Sequence, residues 1–93
     1  MFQNRYITKG VDAEIPLALQ QFLWDCITQM PEPRDYFQVF RLSVCQGLQE
    51  MIHEQEIPVF KQRHLLAIPN PVTAKIYVID DGDHCTMLLA EEY

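Results

Sequence analysis

The stretch that decides the fold is AKIYVIDDGDHCTMLL, residues 74–89. An Asp-Gly pair at 81–82 separates two apolar runs, which is a strong signal for a β-hairpin because both residue types tolerate the positive φ of a type I′ turn. Both faces of the hairpin are largely apolar, so it is expected in the interior of the sheet or covered on both sides. A two-residue loop predicts these pairs: Val78 with Cys85 and Ile76 with Met87.

This register sets Asp80 opposite Asp83, and like charges at opposed positions repel. Either the loop also contains Asp80, so that a type I turn with a glycine bulge pairs Asp83 with Ile79, or a cation lies between the two carboxylates. The sequence DDGD is too short to wrap a calcium ion by itself. Turn chemistry is therefore favoured over a metal site.

The N-terminal third predicts one strand and one helix. RYITKGV, residues 5–11, is rich in β-branched and aromatic residues and predicts the first strand. In the run 15–30, apolar residues recur at spacings of three and four, which predicts an amphipathic helix with Pro16 at its first position. The helix is expected to end near Met30, because PEP at 31–33 cannot continue it.

The middle of the chain changes to a period of two. Residues 36–45 predict a strand, whereas residues 48–57 also suit a short helix. A two-residue turn at Gln46 and Gly47 favours a hairpin, because it aligns apolar with apolar side chains and brings Arg41 near two glutamates. Residues 59–68 are expected to be extended and to end at PNP, 69–71. The predicted neighbours across the middle hairpin are Leu42 and Met51, Phe40 and His53, and Arg41 with Glu50 and Glu54.

These elements predict a single α+β domain over residues 1–93, with one N-terminal helix packed on a mostly antiparallel sheet of about five strands in the order β-α-β-β-β-β. Apolar residues make up 48% of the chain, enough for a core that folds without a cofactor. No run approaches the roughly 20 apolar residues of a membrane span, and the N-terminus lacks the apolar run of a signal peptide. Cys26, Cys45 and Cys85 are odd in number and read as reduced core residues, so a cytoplasmic location is expected.

The charge is unevenly distributed. The formal net charge is −6, and five of the 13 acidic residues lie in the last 14 positions, where there is no Lys or Arg. Direct binding to nucleic acid is disfavoured because it needs clustered cations, and a protein partner with a basic surface fits better. Trp24 is either buried in a helix covered on two sides or an exposed anchor for a partner. The candidate partner-binding residues are Trp24, Asp80, Asp81, Asp83, His84, Glu91, Glu92 and Tyr93.

No catalytic grouping is recognisable. His84 and Cys85 are neighbours on a strand and point to opposite faces, and phosphate loops and dinucleotide fingerprints are absent. The sequence therefore favours a non-enzymatic interaction module that presents an acidic C-terminal patch. Two alternatives stay open: an acidic decoy that imitates nucleic acid, and a metal-dependent enzyme that uses Asp80, Asp83 and His84. The chain is expected to be a monomer or a homodimer formed through a free strand edge or the Trp24 face.

Several strings together resemble a known family. RYITKG, IPLALQQFLW, DYFQVFRLS, IHEQEIP and YVIDDGDHCTMLLAEEY occur in this order along essentially the whole chain. They resemble the domain-of-unknown-function family numbered 960, which comprises small proteins of Gram-positive bacteria. The resemblance implies a stand-alone domain in a bacterial cytoplasm. It implies no activity, substrate or catalytic residue.

Overall fold

The middle strands pair in the predicted way. In a computed structural model that describes residues 1–93, Leu42 lies opposite Met51 and Phe40 lies opposite His53. Residues 48–55 are therefore a strand, because the alternative helix would break this alignment of apolar side chains. The elements are β1 (Arg5–Ile7), α1 (Lys9–Glu14), α2 (Leu17–Gln29), β2 (Phe37–Cys45), β3 (Leu48–Gln55), β4 (Phe60–Leu66), β5 (Ala74–Asp80), β6 (Cys85–Leu89) and a final 3₁₀ turn (Ala90–Glu92).

The six strands form one sheet in the order β1-β6-β5-β2-β3-β4. Only β1 and β6 are parallel, and every other neighbouring pair is antiparallel. The mixed helix and strand fold and the mostly antiparallel sheet agree with the prediction. The structure has two helices and six strands, however, instead of one helix and about five strands.

The predicted first strand is wrong beyond Ile7. Residues 9–14 form α1 instead, because Thr8 caps the helix: its hydroxyl oxygen accepts a hydrogen bond from the Val11 backbone N–H at 3.3 Å. A threonine that precedes a helix satisfies one of the amide groups left free at the first turn. The second helix, α2, lies within the predicted range, but Pro16 is its N-cap and not its first helical residue; Met30 is its C-cap.

Neither of the two registers left open for the C-terminal hairpin is observed, since Ile79 pairs with Thr86 and not with Asp83. Val78 pairs with Met87, two residues beyond the predicted partner Cys85, and Asp80 pairs with Cys85. A type I′ turn needs positive φ at both loop residues, but within this loop only Gly82 has one, at +99°. The loop therefore contains four residues and is closed by the Asp81 N–H, which donates to the His84 carbonyl at 2.9 Å. A shift by two residues leaves every side chain on its predicted face.

Both helices pack on the same face of the sheet, which we call the core face. The opposite face, which we call the open face, has no helix over it. Fifteen buried residues form the core, and they come from the N-terminal segment, both helices and four strands. Neither helix has the length and apolarity that a membrane span requires. The helices contribute Val11, Leu19, Leu23, Trp24 and Ile27 to the core, and Ile15 joins them from the link between α1 and α2.

Strand β3 places three polar side chains on the core face. Gln49 and His53 are fully buried and Gln55 is nearly so. The two glutamines hold loops in place: Gln49 exchanges hydrogen bonds with the backbone of Val72, and Gln55 donates to the Pro33 and Pro58 carbonyls. The buried glutamine side chains and the loop backbone groups thus supply each other with hydrogen-bond partners.

The three cysteines are all free, but they are not all core residues. Cys85 is buried, as predicted, whereas Cys26 and Cys45 are only half-buried. Cys45 lies at the end of β2, where the sheet is not covered, and Cys26 faces a groove beside β4. An apolar sequence environment therefore did not translate into burial at either position.

Candidate functional site

The acidic residues predicted to form one patch are divided between the two ends of β6. Asp81 and Asp83 lie in the loop before the strand, and Glu91 and Glu92 follow its last residue. A five-residue strand separates its ends by about 13 Å at ~3.3 Å per residue. The structure thus places two small acidic groups apart from each other, and within each group only some of the carboxylates are free.

Asp80 is occupied by backbone hydrogen bonds. Its carboxylate accepts from the Phe2 N–H at 3.1 Å and from the Gly82 N–H at 3.0 Å. Asp80 pairs with Cys85 and not with Asp83, so the opposed carboxylates of the predicted register do not occur. The Asp80 carboxylate is therefore stabilised by a backbone N–H of the N-terminal segment, which is remote in sequence, and not by a cation.

His84 does not join Asp80 and Asp83 in a ligand set. Its Nε2 atom lies 3.3 Å from the Asp81 carboxylate, and its ring packs edge-on against Tyr6. No group of three or more His, Cys, Asp or Glu side chains is close enough together to hold a metal ion. The geometry gives the metal-dependent enzyme no support.

Glu92 joins the C-terminal turn to the start of α1. Its carboxylate accepts hydrogen bonds from the Thr8 hydroxyl at 2.6 Å, from the Leu89 N–H at 2.8 Å and from the Gly10 N–H at 3.2 Å. The Thr8 and Leu89 hydrogen bonds hold the pKa of this carboxyl below its usual value. Glu92 is thus engaged within the chain although it lies on the surface, whereas Glu91 next to it is exposed and makes no ion pair.

Trp24 lies in the core, with 8% of its surface exposed. The guanidinium of Arg5 lies over its ring, 4.9 Å from the ring centre. Of the two predictions made for Trp24, the structure agrees with the one in which the side chain is buried. An exposed tryptophan anchor is therefore not available to a partner or to a second copy of the chain.

Tyr93 turns back onto the open face of the sheet, where it meets Phe37 of β2 and Tyr77 of β5. The ring centres are 5.8 Å apart for Phe37 and Tyr93, 5.5 Å for Tyr77 and Tyr93, and 4.8 Å for Phe37 and Tyr77. Each ring contacts the other two, and edge-to-face packing at such distances is favourable. We call these three residues the aromatic triad.

A groove of about 410 Å³ lies beside the aromatic triad, between the start of β2 and the end of β3. We call it the sheet groove. Its volume is within the range of roughly 300–1,000 Å³ that is usual for ligand pockets. Three of its apolar side chains are unusually exposed, Ile57 by 77%, Tyr36 by 59% and Tyr93 by 77%. Contiguous exposed apolar side chains, unlike scattered ones, mark interaction sites.

The sheet groove is negatively charged. Three carboxylates and one guanidinium line it. Arg41 is already paired with Glu54 at 2.8 Å, and the Asp35 carboxylate accepts weak hydrogen bonds from the Phe37 and Ile57 backbones at 3.4 and 3.3 Å. Glu56 is exposed and makes no ion pair. The groove therefore combines apolar surface with uncompensated negative charge.

The other charges are spread over the molecule. Asp12, Glu14 and Asp25 lie on the helices, whereas Glu50 and Glu54 lie on the open face. Four of the seven basic residues also project from the open face, which is why the acids do not dominate it. These four are Arg41, Lys61, Arg63 and Lys75.

Sequence reasoning missed the sheet groove, because its parts come from three separate segments. The signal for one part was present: the segment EIPVF, residues 56–60, carries apolar residues in a turn between two strands. The aromatic triad gave no such signal, since the return of Tyr93 over the sheet depends on how Glu92 is held.

Comparisons with known proteins agree with this fold. The family described as "Staphylococcal protein of unknown function (DUF960)" matches residues 4–92. A crystal structure of a protein of unknown function from Enterococcus faecalis has a TM-score of 0.84 to this chain at 24% sequence identity, covering 97% of this chain and 90% of that one. At this identity the likeness establishes the fold alone. No curated protein matches. The match over nearly all of its length confirms the resemblance seen in the sequence, and the chain belongs to the DUF960 family.

Proposed function

We propose that this protein is a non-enzymatic interaction module that binds a protein partner through the sheet groove. The observation that carries the proposal is the aromatic triad beside exposed Ile57 and Tyr36 on a sheet face without a helix over it. Aromatic side chains fixed by their neighbours bind with little loss of conformational entropy, and tyrosine is enriched at interface hot spots.

The partner is proposed to present an apolar or aromatic side chain next to a lysine or arginine. Glu56 is unpaired at the rim and Asp35 adds a second negative charge, whereas the charge of Glu54 is balanced by Arg41. A basic side chain there would gain charge complementarity, which favours correct partners and rapid association. The basic partner expected from the composition is retained, but its site moves from the acidic C-terminal residues to the sheet groove.

The two alternatives have less support. A decoy for a nucleic-acid-binding protein needs acids in rows on one face, whereas the acids here are divided between both faces of the sheet. Direct nucleic acid binding also lacks support, because two of the four cations on the open face, Arg41 and Arg63, are already paired with glutamates. A metal-dependent enzyme would need Asp80, which is bound by backbone N–H groups.

We propose that the protein works in the cytoplasm as a monomer. Three free thiols are compatible with a reducing compartment. Of the two edge strands, β1 and β4, the longer β4 carries Lys61 and Arg63, and edge cations oppose pairing with a second copy. Sedimentation would test this, since a dimer at micromolar concentration would contradict it.

The function is tested by selecting a phage-displayed random peptide library on the immobilised protein. The expected result is enrichment of peptides that place a lysine or arginine beside an aliphatic or aromatic residue. The affinity of a selected peptide should fall by about tenfold or more in Ile57→Ser, as for a hot-spot residue.

Leu17→Ser is the matched control, because Leu17 is also an exposed apolar residue, 67% exposed against 77% for Ile57, but lies on α2. It should bind as the wild type does. Glu56→Lys should weaken binding, and more so at low salt, where charges are least screened. Equal binding by Ile57→Ser and wild type, or selected peptides without a basic residue, would overturn the proposal.

A further inference from the structure

Strand β4 forms a free edge of the sheet. It is seven residues long, whereas β1 at the opposite edge has only three. The hydrogen bonds that β4 makes outside its ladder with β3 come only from the Arg63 and His64 side chains. In an antiparallel ladder, the backbone N–H and C=O groups of alternate residues point away from the paired strand. The outer backbone groups of β4 are therefore free to pair with a further strand.

A second groove, which we call the helix groove, lies on the core-face side of this edge, between α2 and β4. It has a volume of about 650 Å³ and shares no lining residue with the sheet groove. A strand edge beside a groove is the arrangement used in β-strand addition, where backbone hydrogen bonds give affinity and pockets for alternate side chains give specificity. The apolar lining residues are Phe22, Met30, Pro31 and Phe60.

Contacts between α2 and β4 hold the helix groove in shape. The Phe22 ring packs edge-on against the His64 ring, with 5.3 Å between their centres. The Cys26 Sγ atom lies 3.8 Å from the His64 Nε2 atom, one helical turn further along the same side of α2. The groove therefore exists before a partner binds, and a preformed site lowers the entropic cost of binding.

The edge strand is basic in an acidic protein. The segment FKQRHLL of β4 contains two cations and no Asp or Glu, although the whole chain has 13 acidic and 7 basic residues. Lys61 is exposed and makes no ion pair, whereas Arg63 is bound to Glu50 at 2.6 Å. A second copy of the chain would bring the same cations to this edge and be repelled. A strand with acidic side chains would instead gain favourable cross-strand pairs.

The two faces of the edge call for different side chains in an added strand, because successive side chains of a strand point to opposite faces. On the open face, an added strand would lie beside Lys61 and Arg63, which favours acidic residues. On the core face it would lie beside Phe60 and Gln62 and the helix groove. The Asp25 carboxylate in the groove lining disfavours a further acid there. The matching sequence therefore alternates acidic with apolar residues.

We propose that β4 binds an extended segment of a protein partner, in which acidic and apolar residues alternate, as an additional strand of the sheet. The backbone of this segment pairs with the outer N–H and C=O groups of β4. Its acidic side chains lie next to Lys61, and its apolar side chains enter the helix groove. The site is separate from the sheet groove and prefers the opposite charge in its partner.

The probe is a peptide with blocked ends in which four glutamates alternate with three isoleucines, titrated into the ¹⁵N-labelled protein. We expect the largest amide shifts at residues 60–66. Hydrogen exchange at alternate amides of this strand should slow by about tenfold or more, because these amides gain a hydrogen-bond partner. A peptide of the same composition, with its glutamates and isoleucines in separate blocks, should bind at least about tenfold more weakly.

Two N-methylated peptides test the backbone pairing directly. In an extended strand the N–H groups of successive residues point to opposite edges. Methyl groups on the glutamate nitrogens and on the isoleucine nitrogens therefore block opposite edges of the peptide, and only one of the two peptides should keep its affinity. This comparison changes nothing in the protein, so it does not depend on the folding of a variant. Equal affinities of the two peptides would overturn the proposal.

Lys61→Glu should weaken binding of the alternating peptide by about three- to tenfold, and more so at low salt. Lys75→Glu is the matched control, because Lys75 is also an exposed lysine of the open face but lies on β5, which β2 and β3 separate from the edge. It should bind as the wild type does. Absence of shifts in β4, or equal binding of the block peptide, would overturn the proposal. The basic peptides expected for the sheet groove are measured separately, so the two proposals can fail independently.

Discussion

The Glu92 carboxylate occupies the space that a side chain on Gly10 would need. A Cβ atom on residue 10 would lie 2.7 Å from the Glu92 Cδ atom, closer than real contacts allow. The carboxylate reaches this point because it accepts the Gly10 N–H and the Thr8 hydroxyl. The glycine in this helix is therefore explained by the last turn of the chain, 82 positions away.

This contact predicts that Gly10→Ala changes the free energy of unfolding in opposite directions in the presence and in the absence of the Glu92 side chain. In the wild type, Gly10→Ala should destabilise the fold, because the new methyl group displaces the carboxylate from its hydrogen bonds. In a Glu92→Ala background the same change should stabilise it by up to about 1 kcal/mol, the usual advantage of alanine over glycine in a helix. Urea unfolding of the four proteins measures both effects. If Gly10→Ala has the same effect in both backgrounds, the carboxylate does not hold this position.

We expect the fold to lose stability in mild acid because of the buried, neutral side chain of His53. Burial, and to a lesser extent the positive charge of His64, lowers the pKa of His53 from 6.5 to about 4. Its Nε2 atom lies 2.7 Å from the side-chain Oε1 atom of Gln38, and Nδ1 has no partner. The unfolded chain therefore binds a proton near pH 6.5 that the folded chain binds only near pH 4. Stability is complete above pH 6.5 and is lost progressively between pH 6.5 and 4.

The loss due to His53 should be about 2 kcal/mol between pH 7.5 and 5. His53→Gln, which keeps a donor for Gln38, should have a shallower pH dependence in urea unfolding. His84→Gln removes a half-exposed histidine and should keep the full dependence. Equal slopes for His53→Gln and wild type would contradict the assignment.

We expect the stability of the fold to depend strongly on the buried side-chain amide of Gln49. It donates to the Ser43 and Val72 carbonyls and accepts from the Val72 N–H, which ties the segment before β5 to the sheet. Gln49→Leu should destabilise the fold by about 2–4 kcal/mol, because backbone groups are left buried without partners. Gln3→Leu, at an exposed position, should change the melting temperature little. Equal melting temperatures for Gln49→Leu and wild type would show that the segment is held by other contacts.

We expect the loss of the Tyr93 side chain to weaken partner binding much more than it weakens the fold. It is 77% exposed, so Tyr93→Ala should cost less than about 1 kcal/mol of stability through its lost edge-on contacts. Binding of a groove-selected peptide should nevertheless fall by about tenfold or more, because the side chain forms part of the proposed contact surface. Isothermal titration and thermal melting of the same sample compare the two effects. Loss of stability without loss of affinity would assign Tyr93 a purely structural role.

The sequence predicted the elements whose signals are local. The helix at 17–29 and the pairing of Leu42 with Met51 follow from periodicity and from a two-residue turn. The errors occur where distant residues decide. The loop after Asp80 is set by Phe2 and Asn4, which bond to the Asp80 carboxylate and to the Asp83 carbonyl. No rule about Asp-Gly turns contains that information.

The candidate sites depend still more on distant contacts. The sequence predicted one site from the acidic C-terminal residues, but in the fold these residues have different roles: Glu92 holds α1, Tyr93 joins the aromatic triad and Glu91 stays free. The contact between Cys26 and His64, which are 38 positions apart, likewise requires the packing of α2 against β4. Such groupings are defined by tertiary structure and have no signature in spacing.

The most direct test of the proposed function is an NMR titration of the ¹⁵N-labelled protein with a peptide selected on it. We predict that the shifted amide signals concentrate around the sheet groove, at Tyr36, Val39, Glu56 and Tyr93. The signals of the loop 81–84 and of α2 should stay in place. Shifts confined to that loop would return the binding site to the acidic residues of the hairpin, and shifts confined to α2 and β4 would assign it to the groove between these two elements. Either result would contradict the sheet groove as the site of partner binding.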